Sequence, residues 1–157
     1  MNFIAIRIIK KLILKKLNIS FVESCTGGLL SYSLTKNQYA SKIYSLGMIT
    51  YSNKSKKKLL QISNKVLKKH GAVSRSVCIA MVKNLNKLAK TDISISTTGI
   101  AGPDGGSSQK PIGLVFVAIK FKKKTICKRF IIENKSRNYI QKKAVYKTLK
   151  LLDNLIK

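Results

Sequence analysis

The chain of 157 residues carries 32 basic and 5 acidic side chains, a formal net charge of +27 with its one histidine neutral. That length fits one domain, and 45% hydrophobic residues exclude a disordered polycation. The longest stretch without a charged side chain, Ser24 to Thr35, is twelve residues, too short to span a bilayer.

The first segment, Met1 to Lys16, is interrupted by Arg7, Lys10, Lys11, Lys15 and Lys16, which leaves no unbroken apolar stretch for a secretory signal. It is basic and acid-free, as a presequence is. Ile6, Ile9, Ile13 and Leu17 nevertheless share one face, so the spacing predicts a core helix over about residues 3–17. Ile19 to Val22 reads as a short buried strand, Ser24 to Gly28 as a tight turn, and Leu29 to Leu34 as the start of a helix. Ile43 to Tyr51 is apolar and β-prone. Short helices are predicted at Lys56 to Gln61 and at Val66 to His70, the second stopped by Gly71. Ser74 caps a helix over about 75–90 with Val77, Met81, Leu85 and Leu88 facing inward. Ile93 to Thr97 is strand-like, and Thr98 to Pro111 is a glycine-rich loop. Ile112 to Phe121 and Ile126 to Ile132 are strands joined through Lys122-Lys123-Lys124. A last helix covers about 138–156, with Ile140, Ala144, Leu151 and Leu155 inside. This alternation predicts an α/β fold, a three-layer α/β/α sandwich with helices on both faces of a mixed sheet.

Of the 32 basic residues, 28 are lysine and 4 are arginine; isoleucine numbers 20 and asparagine 10. Those preferences follow AT-rich codons, so coding bias explains much of the charge. Arginine, the planar bidentate reader of phosphate and guanine, is scarce. A selected nucleic-acid face is therefore the less favoured partner reading. Cys25, Cys78 and Cys127 are scattered, with no CxxC pattern. They read as free thiols of a reducing cytoplasm, and with a single histidine a zinc site is not expected.

Two loops carry chemical information. In Glu23-Ser24-Cys25-Thr26-Gly27-Gly28 a strand ends, a serine appears, and two glycines lead into a helix. Ser24 there suits a nucleophile whose oxyanion is held by helix N-terminal amides; the plain alternative is a helix cap at Ser24 or Thr26. Thr98-Gly99-Ile100-Ala101-Gly102-Pro103-Asp104-Gly105-Gly106 offers amides to a phosphate or carboxylate. It is neither a Walker loop nor a dinucleotide fingerprint; its plain alternative is a structural turn. A serine needs a base. His70, before Gly71, reads as a helix-end residue. That leaves lysine, and spacing alone does not choose among Lys54, Lys56, Lys57 and Lys58.

Four motifs occur in order: Glu23-Ser-Cys-Thr-Gly-Gly28, Gly47-Met-Ile-Thr-Tyr-Ser-Asn53, His70-Gly-Ala-Val-Ser74, and Thr98 to Gly106 with Lys110-Pro111-Ile112-Gly113. With them the chain resembles the CinA C-terminal domain family, whose stand-alone members are nicotinamide mononucleotide deamidases, over nearly its whole length. The resemblance implies the α/β/α fold and hydrolysis of nicotinamide mononucleotide to nicotinate mononucleotide and ammonia in pyridine nucleotide recycling. It matches the nucleophile to Ser24, the lysine to Lys56 and the motif tyrosine to Tyr51. Larger family members carry an N-terminal pyrophosphatase domain for which 157 residues leave no room, so that metal-dependent activity is not expected.

One departure stands out. The family's Gly-Asp-Arg stretch reads Asn134-Lys135-Ser136-Arg137 here. Arg137 matches the first arginine, and Gln141 stands where a second is expected, with Lys142 beside it as a point charge. The expected machinery is a Ser24–Lys56 dyad, with Tyr51 relaying a proton, orienting Lys56, or packing in the core. The amides of Cys25, Thr26 and Gly27 would hold the oxyanion, and Glu23 would fix the loop. Substrate contacts are expected from Cys25, Thr26, Gly27, Gly28, Thr98, Gly99, Gly102, Gly105, Gly106 and Arg137, with Lys110 a further phosphate partner. Crowding by Lys54, Lys57 and Lys58, together with burial, is expected to keep Lys56 neutral. No metal or other cofactor is called for. The expected partners are a small-molecule nucleotide and a second copy of the chain in a homodimer, in the cytoplasm and away from membranes.

Overall fold

Five runs rich in β-branched and small residues pair into one sheet: β1 (Ile19–Glu23), β2 (Tyr44–Ile49), β3 (Ile93–Gly99), β4 (Leu114–Phe121) and β5 (Lys124–Ile131). The computed structural model of the protein describes residues 2–133 and 135–157; Met1 and Asn134, both named above, lie outside them. The strand order is β2-β1-β3-β4-β5. β1 runs parallel to β2 and β3, whereas β4 is antiparallel to β3 and β5 to β4. The chemistry of the connections dictates the mixture. β4 and β5 are joined by a tight turn in which Lys122 takes a left-handed conformation (φ 52). The parallel strands need helical crossovers.

The helices are α1 (Asn2–Leu14), α2 (Leu29–Thr35), α3 (Asn53–Leu60), α4 (Asn64–His70), α5 (Arg75–Ala89) and α6 (Arg137–Leu155). Side chains alternate along β1, so Phe21 faces one layer and Val22 the other. The Phe21 side is closed by α1, α2 and α6 around Leu12, Leu30 and Leu149. The Val22 side is closed by α3, α4 and α5 around Leu60, Leu67 and Met81. The fold is the predicted α/β/α sandwich.

Three predicted faces shift. The inward stripe of α1 is Ala5, Ile8, Ile9 and Leu12, while Ile6 is exposed and Ile13 and Leu17 are half-buried. α1 ends at Leu14, and small Ala5 sits on the stripe that faces the core. Arg7 and Lys11 then reach Asp153 of α6, at 2.5 and 2.7 Å. On α5, Val77, Met81 and Leu85 are buried as expected, but Leu88 is exposed; it lies in the last turn, at the edge of the stripe, over a groove it shares with Leu59 and Asn84. On α6, Ile140 and Ala144 are buried; the deeper stripe continues through Val145, Leu149 and Leu152, with Leu151 and Leu155 at its margin.

The crossovers place the site. β1 passes to β2 through α2 on one face, and β2 passes to β3 through α3, α4 and α5 on the other. The side of the connection therefore reverses beside β1. In open α/β sheets a crevice forms outside the carboxyl ends of the strands at such a reversal, and Ser24 is the first residue after β1.

Candidate active site

Ser24 is held from both sides. Its N–H donates to Thr97 O on β3 (3.1 Å), and Glu23 O accepts from the N–H of Thr50, just past β2 (2.8 Å). The turn after it closes by Gly27 N–H to Ser24 O (3.1 Å). Glu23 does fix the loop. Its buried carboxylate accepts from Ser31 N–H and Ser31 Oγ through Oε1 (2.7 and 2.6 Å). Through Oε2 it accepts from Thr26 Oγ1, Gly28 N–H and Leu30 N–H (2.6, 3.0 and 3.0 Å). Gly28, the residue before α2, supplies no side-chain cap, so Glu23 satisfies the orphan donors of that helix from the preceding strand.

Lys56 comes from the opposite layer. Ser52 and Ser55 form a reciprocal capping box that fixes the start of α3, and one residue later Lys56 turns into the protein. It is 1% exposed. Its Nζ donates to Thr50 O (2.7 Å) and lies 3.0 Å from Ser24 Oγ. Burial pushes the Lys56 ammonium below its ordinary range, opposed only by the neighbouring Cys25. The expected neutral lysine is thus favoured, but the cause is burial rather than crowding, since Lys54, Lys57 and Lys58 face solvent. Burial also pushes the Cys25 thiol up to about 12, so Cys25 stays protonated and Ser24 is the available nucleophile at that turn.

The pair opens into a cleft of about 250 Å³ lined by Ser24, Cys25, Tyr51, Lys56, Ala72, Val73, Thr98 to Gly102, Asp104, Gly105 and Arg137. Gly106 lines a shallower depression that adjoins it and shares Asp104 and Gly105. Ile100 N–H to Leu114 O and Gly113 N–H to Ile100 O close the base of the glycine loop. Among the described residues the amides of Gly102, Asp104, Gly105 and Gly106 donate to no protein acceptor. Arg137, at the start of α6, donates from Nη1 to Gly102 O (2.7 Å) and from Nη2 to the Tyr51 hydroxyl.

Several expected contacts are placed differently. Tyr51 is 58% exposed, so it is not a core residue, and its hydroxyl partner is Arg137 rather than Lys56. Thr26, Gly27 and Gly28 do not line the cleft. Thr26 Oγ1 is bound to Glu23 and to Thr97 Oγ1 (2.8 Å), and the amides of Gly27 and Gly28 are used inside the loop. Lys110 Nζ donates to His70 O (2.8 Å), tying the end of α4 and leaving the cleft. Gln141 also lies outside the cleft, and Lys142 faces solvent. Conversely, Asp104, Ala72 and Val73 stand in motifs legible in the sequence but carried no assigned role there. Thr50 contributes through its carbonyl, which no side-chain pattern signals. Among the described residues no group of three or more His, Cys, Asp or Glu is placed to hold a metal ion, and no helix is long and apolar enough to cross a membrane.

A family model described as CinA C-terminal domain matches residues 1–156. The chain belongs to the CinA C-terminal domain family. Among sequences of this family it is 46% identical over 137 residues to a CinA-like protein of Prochlorococcus marinus, covering 85% of this chain and 32% of that one. The chain spans about a third of the length of the curated relatives it matches. Among solved structures it is similar to the competence/damage inducible protein CihA from Agrobacterium tumefaciens, with TM-score 0.96 and 32% identity over 99% of this chain and 95% of that one. A competence-damaged protein (CinA) superfamily protein from Enterobacter cloacae gives TM-score 0.93 and 28% identity over 98% and 90%.

Proposed function

We propose that the CinA domain of this chain hydrolyses nicotinamide mononucleotide to nicotinate mononucleotide and ammonia by a Ser–Lys mechanism. The observation that carries this reading is the buried, partly desolvated Lys56 Nζ 3.0 Å from Ser24 Oγ, with no carboxylate paired to it among the described residues. Neutral Lys56 takes the Ser24 proton as Oγ attacks the carboxamide carbon. The Cys25 amide, free and at the cleft, stabilises the oxyanion. Lys56 returns the proton to departing ammonia, and water then releases the acid from the acyl-enzyme. The glycine-loop amides and Arg137 suit the nucleotide phosphate. The test is ammonia release from nicotinamide mononucleotide, nicotinamide riboside and nicotinamide. The mononucleotide is the expected substrate, and Ser24→Ala removes its turnover while the circular dichroism spectrum is unchanged. Undiminished turnover by Ser24→Ala excludes the mechanism.

A second reading, a polyanion-binding role with nucleic acid as partner, is favoured by one observation. Lys135, just before α6, and Lys143 on it stand 5.3 and 5.6 Å from the Tyr139 ring, and Lys143 and Lys150 stand 5.9 and 5.4 Å from the Tyr146 ring. Alternating lysine and tyrosine suits a single strand by phosphate contact and base stacking. Its test is retention of an oligonucleotide as salt rises: tight binding at physiological salt without deamidation selects this reading over the first.

A further inference from the structure

A serine nucleophile is only as good as the donors that meet its oxyanion. Around Ser24 most backbone donors are already used: Ser24 N–H by Thr97 O, Gly27 N–H by Ser24 O, and Gly28 N–H by Glu23. Among the described residues only the Cys25 and Thr26 amides of this turn donate to no protein acceptor. What aims them is then the question, because both sit in a turn outside any helix or strand.

Gln141 answers it. One helical turn beyond Arg137 on α6, and outside the cleft, its Nε2 donates to Cys25 O at 2.9 Å. The assignment of the amide is forced, since a carbonyl accepts only from the NH₂ end. The same nitrogen lies 3.7 Å from where a Cβ on Gly27 would stand, so the side chain packs over the whole turn. The Cys25–Thr26 peptide is trans, the one cis bond among the described residues being Gly102–Pro103. In a planar trans peptide the carbonyl and the following N–H point in opposite directions. Holding Cys25 O toward α6 therefore fixes this peptide plane, and with it the backbone of Cys25, whose free amide belongs to the residue of the pair that lines the cleft.

We propose that Gln141 is a positioning residue that pins the Cys25–Thr26 peptide and so presets the Cys25 amide as oxyanion donor beside Ser24. The inference rests on the serine mechanism above but not on the identity of its substrate. It also gives position 141 a role on backbone rather than on substrate, one that a neutral donor performs.

The test separates these points with an activity-independent probe, the rate at which a fluorophosphonate modifies Ser24, followed by intact mass. Phosphonylation expels fluoride as Ser24 Oγ bonds to phosphorus, and its transition state uses the same donors. Gln141→Met, similar in length and without a donor, is expected to slow modification about 10- to 30-fold, below the effect of deleting a direct donor. With nicotinamide mononucleotide, kcat falls by the same factor and KM changes less than about threefold, as for an interaction made in the transition state. The pH midpoint of Ser24 reactivity, which reports Lys56, stays in place. Gln141→Arg restores donors to Cys25 O and recovers most of the rate. Gln141→Glu, an acceptor facing a carbonyl, repeats the loss and serves should the Met variant not fold. Modification of the Met variant within about twofold of wild type overturns the inference, as does a loss that Gln141→Arg does not recover. Wild-type protein that modifies in a Gln141-dependent way yet releases no ammonia overturns the substrate reading and leaves the positioning role standing. A Ser24 inert to the probe in wild-type protein overturns both.

Discussion

Glu23→Ala tests whether the nucleophile loop hangs on one carboxylate. Two of the five donors to Glu23 are hydroxyls that rotate to other acceptors, and Thr26 Oγ1 already has Thr97 Oγ1 at 2.8 Å. The other three are the N–H groups of Gly28, Leu30 and Ser31, which cannot turn away. Leu30 is fully buried, and a buried donor left without an acceptor costs about 1–3 kcal/mol. Gly28 and Ser31 are half-buried and recover water, so each loses about 0.5–1 kcal/mol. The variant is thus expected to lose about 2–5 kcal/mol, a large share of the roughly 5–15 kcal/mol typical of a domain. Glu23→Gln keeps one acceptor oxygen and loses about half as much. Urea unfolding followed by circular dichroism reads both. With a slope of about 1–3 kcal/mol per molar urea, Glu23→Ala lowers the midpoint by about 1–2 M at unchanged slope, and Glu23→Gln by about half of that. A midpoint for Glu23→Ala within about 0.3 M of wild type, or a greater loss in Glu23→Gln than in Glu23→Ala, refutes the reasoning.

Because the proposed mechanism uses the neutral amine, kcat/KM for deamidation is expected to rise with pH through one ionisation below the ordinary lysine value of 10.5; Lys56→Arg, whose guanidinium keeps its proton, is expected to remove nearly all turnover, and a flat profile or an active Lys56→Arg contradicts the assignment. The same group shapes stability. With the folded value lowered, the unfolded chain binds more protons between that value and 10.5, so wild-type stability rises with pH across this window. Lys56→Met lacks that rise in thermal midpoints measured from about pH 6 to about pH 10, and equal slopes for the two proteins count against it. At the other end of the scale, Arg7 and Lys11 hold the Asp153 carboxyl below its ordinary 3.8. Its contribution is present above the unfolded value and is lost as pH falls through the folded one. Asp153→Asn therefore has a shallower acid limb in a circular dichroism titration, with wild type and variant converging at the lowest pH.

The α/β/α layers and the cap at Ser74 are legible in local pattern, whereas the strand order β2-β1-β3-β4-β5 depends on pairing between distant segments and the α3 cap at Ser52 was not read from the sequence. Lys56 was legible only through the resemblance around Tyr51, for four lysines crowd that stretch and burial, which distinguishes one of them, is a tertiary property. Tyr51 shows the reverse: its motif was visible, but its partner Arg137 lies 86 residues away, and no spacing rule connects them. Gly27 and Gly28 read as substrate contacts because glycine permits close approach, whereas their amides serve the turn itself. The isoleucine-rich first helix offered more than one apolar stripe, and contact with α6 across the chain chose among them.

The two members of the proposed dyad come from elements of opposite layers, Ser24 from the turn that leads into α2 and Lys56 from α3, and their side chains meet at the carboxyl end of the sheet. In the proposed mechanism neither layer alone supplies both nucleophile and base: the Ser24 hydroxyl has its lysine only where α3 packs on the sheet and buries Lys56. A chain in which either layer fails to pack therefore lacks the proposed pair. On that mechanism the chemistry would act as a coincidence detector for completed assembly, set by the buried interior and not by the lysine-laden exterior.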